Sequence, residues 1–403
     1  MVIFWIIMII VILLFVLIIG GLLDLYFGYK TKHQSIPVFE PKTGRSDMEC
    51  FMDGRPFFKA LKEDIQQAKN HVHILFFIFR DDQLGKAFLK LLKEKAQSGV
   101  TVRLLVDAVG SRELPKKEIQ KLEAAGVHFA WTAKPSFPFY FYHLNRRNHR
   151  KITVIDGTIG YFGGYNVGDE YLGKKAELGV WRDYHLRLIG ENVHTLQEQF
   201  LNDWKRATKE NIQQDGLFPS ATTGSFDMTL VSTNGKHLEQ PFIDHINKAN
   251  KTLIIGSPYF IPSERLQEAL LNRLDAGVKI TILLPMKKDH PLVKPASYKY
   301  LKPLLEKGCR LFHFYEGFYH AKAFIIDDSS CYIGTANFDK RSLFWNDELS
   351  GFIEDPIFTQ KVKEMVRLDL ENRSTEMTLK DLNNRSWFEK VKTPLSSMFS
   401  PLL

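Results

Sequence analysis

The pattern His-x-Lys-x-x-x-x-Asp occurs twice in this chain, as His149-Arg150-Lys151 running to Asp156 and as His320-Ala321-Lys322 running to Asp327. Each copy leads into a turn sequence, Gly163-Gly164-Tyr165-Asn166 in the first and Gly334-Thr335-Ala336-Asn337 in the second. One such pattern arises readily by chance, but two with similar sequels constrain the chain to two related halves. In an extended strand, residues i and i+2 share a face, so His149 and Lys151 point one way while Ile152 and Val154 point the other. The second copy obeys the same parity, with His320 and Lys322 opposed to Ala321, Ala323 and Ile325. Asp156 and Asp327 fall on the parity opposite their His and Lys, which marks them as anchors for their strand ends within the motif.

Two histidines and two lysines supply what phosphodiester chemistry needs without a metal or other cofactor. A neutral imidazole can attack phosphorus, a protonated one can donate to the departing alcohol, and two ammonium groups can hold the charged oxygens. The candidate catalytic set is therefore the six motif residues, His149, Lys151, Asp156, His320, Lys322 and Asp327. Asn166 and Asn337 are candidates for hydrogen bonds to phosphate oxygens, or are simply turn-forming asparagines beside glycine.

Composition narrows the setting. The formal net charge of +8 suits a polyanion, whether nucleic acid or an anionic membrane, although it also suits ordinary solubility. Cys50, Cys309 and Cys331 are too few and too scattered for a disulfide framework or a zinc site.

The stretch from Met1 to Leu23 carries no charged side chain and is long enough to cross a hydrocarbon core as a helix. It lacks the basic start and the Ala-x-Ala site of a cleaved signal peptide. Lys30, Lys32, Lys42 and Arg45 follow it, so the positive-inside rule places the remaining chain in the cytoplasm behind a single span.

Strand and helix patterns alternate beyond the span, and they do so twice. Ala68-Lys69-Asn70 followed by a strand from His71 corresponds to Ala249-Asn250-Lys251 followed by a strand from Thr252. The leucine-rich helices Leu84 to Ala96 and Leu266 to Leu274 correspond likewise, as do the apolar runs after Gly99 and Gly277. This predicts an α/β fold of two duplicated halves, each a mostly parallel mixed sheet flanked by helices, behind an N-terminal transmembrane helix. The expected organisation is a span at 1–25, a linker at 26–45, a first domain at 46–215 and a second at 216–403. The division falls near Gln213 to Ser225, where Asp, Gly, Pro, Ser and Thr cluster.

On the two motifs, on Trp181-Arg182-Asp183-Tyr184-His185, on Ser257-Pro258-Tyr259-Phe260-Ile261-Pro262 and on the ending Phe399-Ser400-Pro401-Leu402-Leu403, the chain resembles the phospholipase D superfamily. Within it, the chain is most similar to bacterial cardiolipin synthases. Many of those have two N-terminal spans where this chain shows one. The resemblance implies transfer of a phosphatidyl group between two phosphatidylglycerol molecules through a phosphohistidine, giving cardiolipin and glycerol in a bacterial cell membrane. It implies that His149 is the nucleophile and His320 the general acid, though the two roles are open to exchange. It also matches Asp183 and Glu348 to acids that orient an imidazole, with Asp347 an equally near rival to Glu348. A hydrolytic phospholipase D, or another phosphodiesterase or nuclease of the same kind, is the alternative. An anionic phospholipid substrate and the membrane are the expected partners, nucleic acid is not required, and nothing in the sequence fixes the oligomeric state.

Aromatic residues precede both motifs: Phe137, Phe139, Tyr140, Phe141 and Tyr142 before the first, and Phe312, Phe314, Tyr315, Phe318 and Tyr319 before the second. They suit either the headgroup level of a bilayer or buried strand packing. Trp387, Phe388, Val391, Leu395, Met398 and Phe399 are spaced roughly like one helix face, for the membrane or for the protein core.

Overall fold

The computed structural model describes residues 1–33, 36, 38–289, 291–385, 393–394, 396 and 400. The apolar face expected from Trp387 to Phe399 lies outside the described residues. The chain opens with the helix Val2–Gly28, continued by a π-helical turn Tyr29–His33. At 1.5 Å per residue this helix is about 40 Å long, more than the ~30 Å of a hydrocarbon core. It is apolar on every side and exposed along almost its whole length, with only Gly28 buried. In water such a surface would be strongly unfavourable, and in a bilayer it is the surface expected of a span.

The body is built on one 16-stranded mixed sheet. From the outer edge of the first half inward run the strands His128–Thr132, Thr101–Asp107, His71–Phe76, Ile152–Ile155, Ile159–Gly163, Val180–Gly190 and Lys42–Asp53. In the second, where the short strand Ser374–Met377 is added antiparallel at the outer edge, the order inward is Arg310–Phe314, Lys279–Pro285, Thr252–Gly256, Ala323–Ile326, Ser330–Gly334, Asp347–Ile353 and Phe226–Asn234. The two orders are the same repeat, joined where Lys42–Asp53 and Phe226–Asn234 pair antiparallel, with Lys42 opposite Leu230 and Ser46 opposite Phe226. The parallel pairing expected from the βα alternation runs through the outer strands of each half, while the inner strands are antiparallel. Helical crossovers enforce the first arrangement, and tight hairpins such as Ile152–Ile155 to Ile159–Gly163 enforce the second.

The crossover helices begin and end on local signals. Asp82 accepts a hydrogen bond from Gly85 N–H at the start of Gln83–Gln97, and Ser263 from Leu266 N–H at the start of Glu264–Asp275. They stop before Gly99 and Gly277, whose backbones are left-handed at φ 92° and 87°. Each half buries its own outer core, and a third core is shared between them, bringing Ile152, Val154 and Leu186 together with Ala323, Ile325 and Ile333. The shared core holds the residues that the motif parity turned away from His149, Lys151, His320 and Lys322. It fixes the two motifs relative to one another.

Candidate active site

His149 and Lys151 stand in the extended lead-in to the strand Ile152–Ile155, and His320 and Lys322 in the lead-in to Ala323–Ile326. Each lead-in is laid against the other half of the protein. His149 N–H donates to the Asp347 carbonyl at 2.9 Å, and Asp347 N–H to the Arg147 carbonyl at 2.8 Å. In the same way the short strand Gly317–Tyr319 pairs parallel with the start of Val180–Gly190, and His320 N–H donates to the Arg182 carbonyl at 2.7 Å. The residue after each of these carbonyl partners is an acid. Glu348 thus meets His149, its Oε1 and Oε2 both 3.0 Å from Nδ1, and Asp183 meets His320, its Oδ2 2.6 Å from Nδ1.

A carboxylate against Nδ1 keeps the proton on that nitrogen and leaves Nε2 with its lone pair. Both imidazoles line one cavity of about 690 Å³, together with Phe77, Asn166, Trp181 and Asn337. Each ring rests on an aromatic neighbour, His149 on Phe77 with centroids 4.9 Å apart and His320 on Trp181 at 4.8 Å. Asn166 accepts from Ile78 N–H at 3.0 Å and donates to the Tyr171 hydroxyl at 3.2 Å, and Asn337 donates to Asp339 at 3.1 Å. One proton of each amide is thereby used in holding the side chain at the cavity wall.

The choice between Asp347 and Glu348 is made by what else is near. Asp347 is taken by two guanidinium groups, Arg146 at 2.9 Å and Arg206 at 2.5 Å. Glu348 is turned to the imidazole and steadied by the Thr335 hydroxyl at 2.5 Å and the Asn346 amide at 3.2 Å. Thr335 holds the same place in the second turn sequence as Gly164 in the first. At Gly164 the shorter acid comes so close that a Cβ would lie 1.8 Å from Asp183 Oδ1. The difference between Gly164 and Thr335 is visible in the two sequels, but its meaning depends on which acid stands beside each.

Arg150, between the His and Lys of the first motif, also serves the site. Its side chain is fully buried, donating to Asp203 at 2.9 and 3.0 Å, to the Thr233 carbonyl at 2.7 Å and, through Nε, to the Glu348 carbonyl at 3.1 Å. It ties the first motif to the strand that carries its orienting acid. A signal was present, since a charged residue here shares the parity of Ile152 and Val154.

Lys151 Nζ donates to the His149 carbonyl at 2.7 Å, and Lys322 Nζ donates to the His320 carbonyl and lies 3.5 Å from Asp183 Oδ2. All four motif side chains are buried. Burial pushes the His149 imidazole down to about 4 and the His320 imidazole down to about 3, the lysines adding to this and the acids opposing it. Burial also brings Lys151 down to about 7, with Lys322 contributing, and lowers Lys322 itself. Burial alone would raise the two acids, but Lys322 and His320 hold Asp183 below its ordinary value, and His149 and Lys151 do the same for Glu348. Burial in this cavity therefore disfavours positive charge on His149, His320, Lys151 and Lys322 unless an anion balances it.

Asp156 and Asp327 stand at the far ends of the motif strands. Asp156, with a left-handed backbone at φ 52°, accepts from the backbone N–H groups of Lys69, Asn70 and His71 at 2.7, 2.7 and 2.8 Å. Asp327, at φ 50°, accepts from Asn250, Lys251 and Thr252 at 3.0, 2.8 and 2.7 Å. Each ties the end of its motif strand to the start of the neighbouring one, away from the imidazoles.

The two aromatic approaches each divide between core and surface. Tyr142 of the first and Phe314, Phe318 and Tyr319 of the second are fully buried in the protein, whereas Phe137 is 84%, Phe141 46% and Tyr315 47% exposed. The first approach carries the more exposed ring.

Residues 61–204 and 242–369 match the family model described as "Cardiolipin synthase, PLD-like domain". The chain is 45% identical over 390 residues to the minor cardiolipin synthase ClsB of Bacillus subtilis, covering 96% of each. It is 39% identical over 369 residues to a cardiolipin synthase of Oceanobacillus iheyensis, covering 90% of this chain and 76% of that one. A cardiolipin synthase of Staphylococcus aureus is 38% identical over 368 residues, with 90% and 74% covered. Among solved structures, the phosphatidylserine synthase of Haemophilus influenzae superposes with a TM-score of 0.71 at 15% identity, over 93% of this chain and 99% of that one. The polyphosphate kinase of Porphyromonas gingivalis gives 0.54 at 12% identity, over 83% and 49%. These two likenesses speak for the fold.

Proposed function

The chain belongs to the cardiolipin synthase family of phospholipase D-like proteins, and on that footing we propose that it joins two phosphatidylglycerol molecules into cardiolipin and glycerol by double displacement. His149 Nε2 attacks the phosphorus of the first lipid. The P–O bond to glycerol breaks, a P–N bond forms, and His320 passes its proton to the departing glycerol oxygen. A hydroxyl of a second phosphatidylglycerol then gives its proton back to His320 and attacks phosphorus. The P–N bond breaks and both histidines return to their starting state. Lys151 and Lys322 hold the non-bridging oxygens as charge builds on them.

The observation that carries this reading is the crossed pairing of His149 with Glu348 and His320 with Asp183. It offers two Nε2 atoms to one cavity, each backed by an acid that supports positive charge as it forms. The depressed imidazoles fit both roles. His149 is ready to attack as the neutral base, and the phosphodiester anion supplies the negative charge that lets His320 carry a proton. Lys30, Lys32, Lys42 and Arg45 behind the span support a cytoplasmic body at the inner face of the cell membrane.

Purified full-length protein in phosphatidylglycerol vesicles should release glycerol and form cardiolipin in the presence of a chelator. Phosphatidic acid as the main product would replace transfer by hydrolysis, and loss of all turnover on chelation would overturn the metal-free mechanism.

A further inference from the structure

We propose that residues 134–142 form a second membrane-contacting element, an aromatic wedge clamped beside the anchoring helix that sets the body rigidly against the bilayer. The inference rests on the membrane reading of the helix Val2–Gly28. An anchor joined to its body by a loose linker would leave height and tilt undetermined; here the junction is built. Asp24, the first charged residue of the chain, accepts a hydrogen bond from Tyr142 N–H at 3.0 Å. One turn further, Gly28 lets the wedge approach so closely that a Cβ there would lie 2.4 Å from Tyr142 Cβ. Tyr29 stacks on His33 with centroids 4.2 Å apart, and Trp345 lies 5.8 Å from Tyr29, 6.2 Å from His33 and 6.0 Å from Tyr142.

Depth follows from these contacts. The Phe141 ring lies 3.8 Å from the Cβ position of Gly21, inside the uncharged run that ends at Leu23. Gly21 is about 4.5 Å along the helix axis from Asp24, so Phe141 sits at the edge of the hydrocarbon. Phe137 stacks on Tyr140 with centroids 5.4 Å apart and is the most exposed aromatic residue among the described residues of the body. Lys134, exposed at the start of the segment, suits the anionic headgroups. An exposed Phe held at this level by a transmembrane helix has lipid as its neighbour. The wedge is followed within seven residues by Arg146, Arg147 and His149, and Trp345 directly precedes Asn346 and stands three residues before Glu348. The clamp therefore fixes the height of the His149 side of the cavity over the lipid surface that supplies its substrate.

The test uses the full chain in phosphatidylglycerol vesicles, with an environment-sensitive fluorophore on Phe137→Cys or, as a reporter of the span, on Phe15→Cys. The unsubstituted protein serves as the labelling blank. The expected result is a blue-shifted emission from Phe137→Cys that acyl-chain nitroxide lipids quench, together with quenching of Phe15→Cys. Quenching of Phe15→Cys alone would overturn the wedge and leave the anchor standing. A blue shift at Phe137→Cys without lipid quenching would place it against protein and also overturn the proposal. Quenching of neither would remove the membrane reading of the helix as well. As a second readout, Phe137→Ser combined with Phe141→Ser should lower turnover on vesicles several-fold while leaving turnover on detergent-dispersed short-chain phosphatidylglycerol unchanged. Equal loss in both media counts against the wedge.

Discussion

His149 Nδ1 lies 3.0 Å from the carboxylate of Glu348, 199 residues along the chain and in the opposite repeat. Its counterpart, His320 with Asp183 at 2.6 Å, crosses in the other direction over 137 residues. Neither half thus contains a complete imidazole and acid pair. The duplication supplies two equivalent parts, and the pairing of each motif lead-in with the other half's strand assembles them into one site.

The crossed pairs separate the two chemical steps. Glu348→Gln keeps the shape of the side chain but cannot support a forming imidazolium at His149, so turnover should fall by about 10²–10⁴. Acid quenching with a substrate labelled in its phosphatidyl group should then find little protein-bound label. Asp183→Asn should fall by a similar factor, with the remaining adduct still on His149. The reverse pattern of labelling would exchange the roles of the two histidines.

Gly164→Ala should abolish most activity in a protein that still folds. The added methyl group would overlap Asp183 Oδ1, which must move, and His320 loses its orienting acid. Circular dichroism close to that of the parent, alongside turnover reduced to the level of Asp183→Asn, is the expected outcome. Parent-like activity would mean that Asp183 tolerates displacement.

Lys151 makes the clamp pH-dependent. With its ammonium group brought down to about 7 by burial, Lys151 is charged below that pH and loses its charge as pH rises through it in the free enzyme. The KM for phosphatidylglycerol should therefore rise above neutral pH. Lys151→Arg keeps its charge throughout and should flatten that rise, even with a lower kcat. Substrate binding near pH 7 should also take up protons, seen as a dependence of calorimetric heat on the ionisation enthalpy of the buffer. A KM profile that is the same in both proteins would remove Lys151 as the titrating group.

Asp156 and Asp327 should matter for stability more than for chemistry. Each accepts three backbone N–H groups, so Asp156→Ala or Asp327→Ala should cost about 1–3 kcal/mol of folding stability. The backbone N–H groups that hold Asp327 keep its carboxyl below the usual range against the opposing effect of burial. A depressed carboxyl contributes stability that is present above its unfolded value and lost as pH falls through the folded one. The Asp327→Ala deficit measured by denaturant unfolding should accordingly shrink in acid. A loss of kcat comparable to that of His149→Ala, with stability unchanged, would place these acids in the reaction.

Much of this protein is legible along the chain. The spacing of the two motifs determines the chemistry, because i and i+2 parity in an extended segment puts His and Lys together and sends Asp the other way. The alternation of apolar runs with glycine-stopped helices determines an α/β repeat, and the uncharged opening determines an apolar helix long enough to span a bilayer. These are local signals, written within a few residues of where they act. Which acid serves which histidine, why Glu348 rather than Asp347, what Arg150 and Thr335 hold, and which rings of each aromatic stretch are core were all decided by tertiary structure. Each depends on the register between strands more than a hundred residues apart. That register is set by how the whole sheet closes around its shared core, and a periodicity read over neighbouring residues does not contain it.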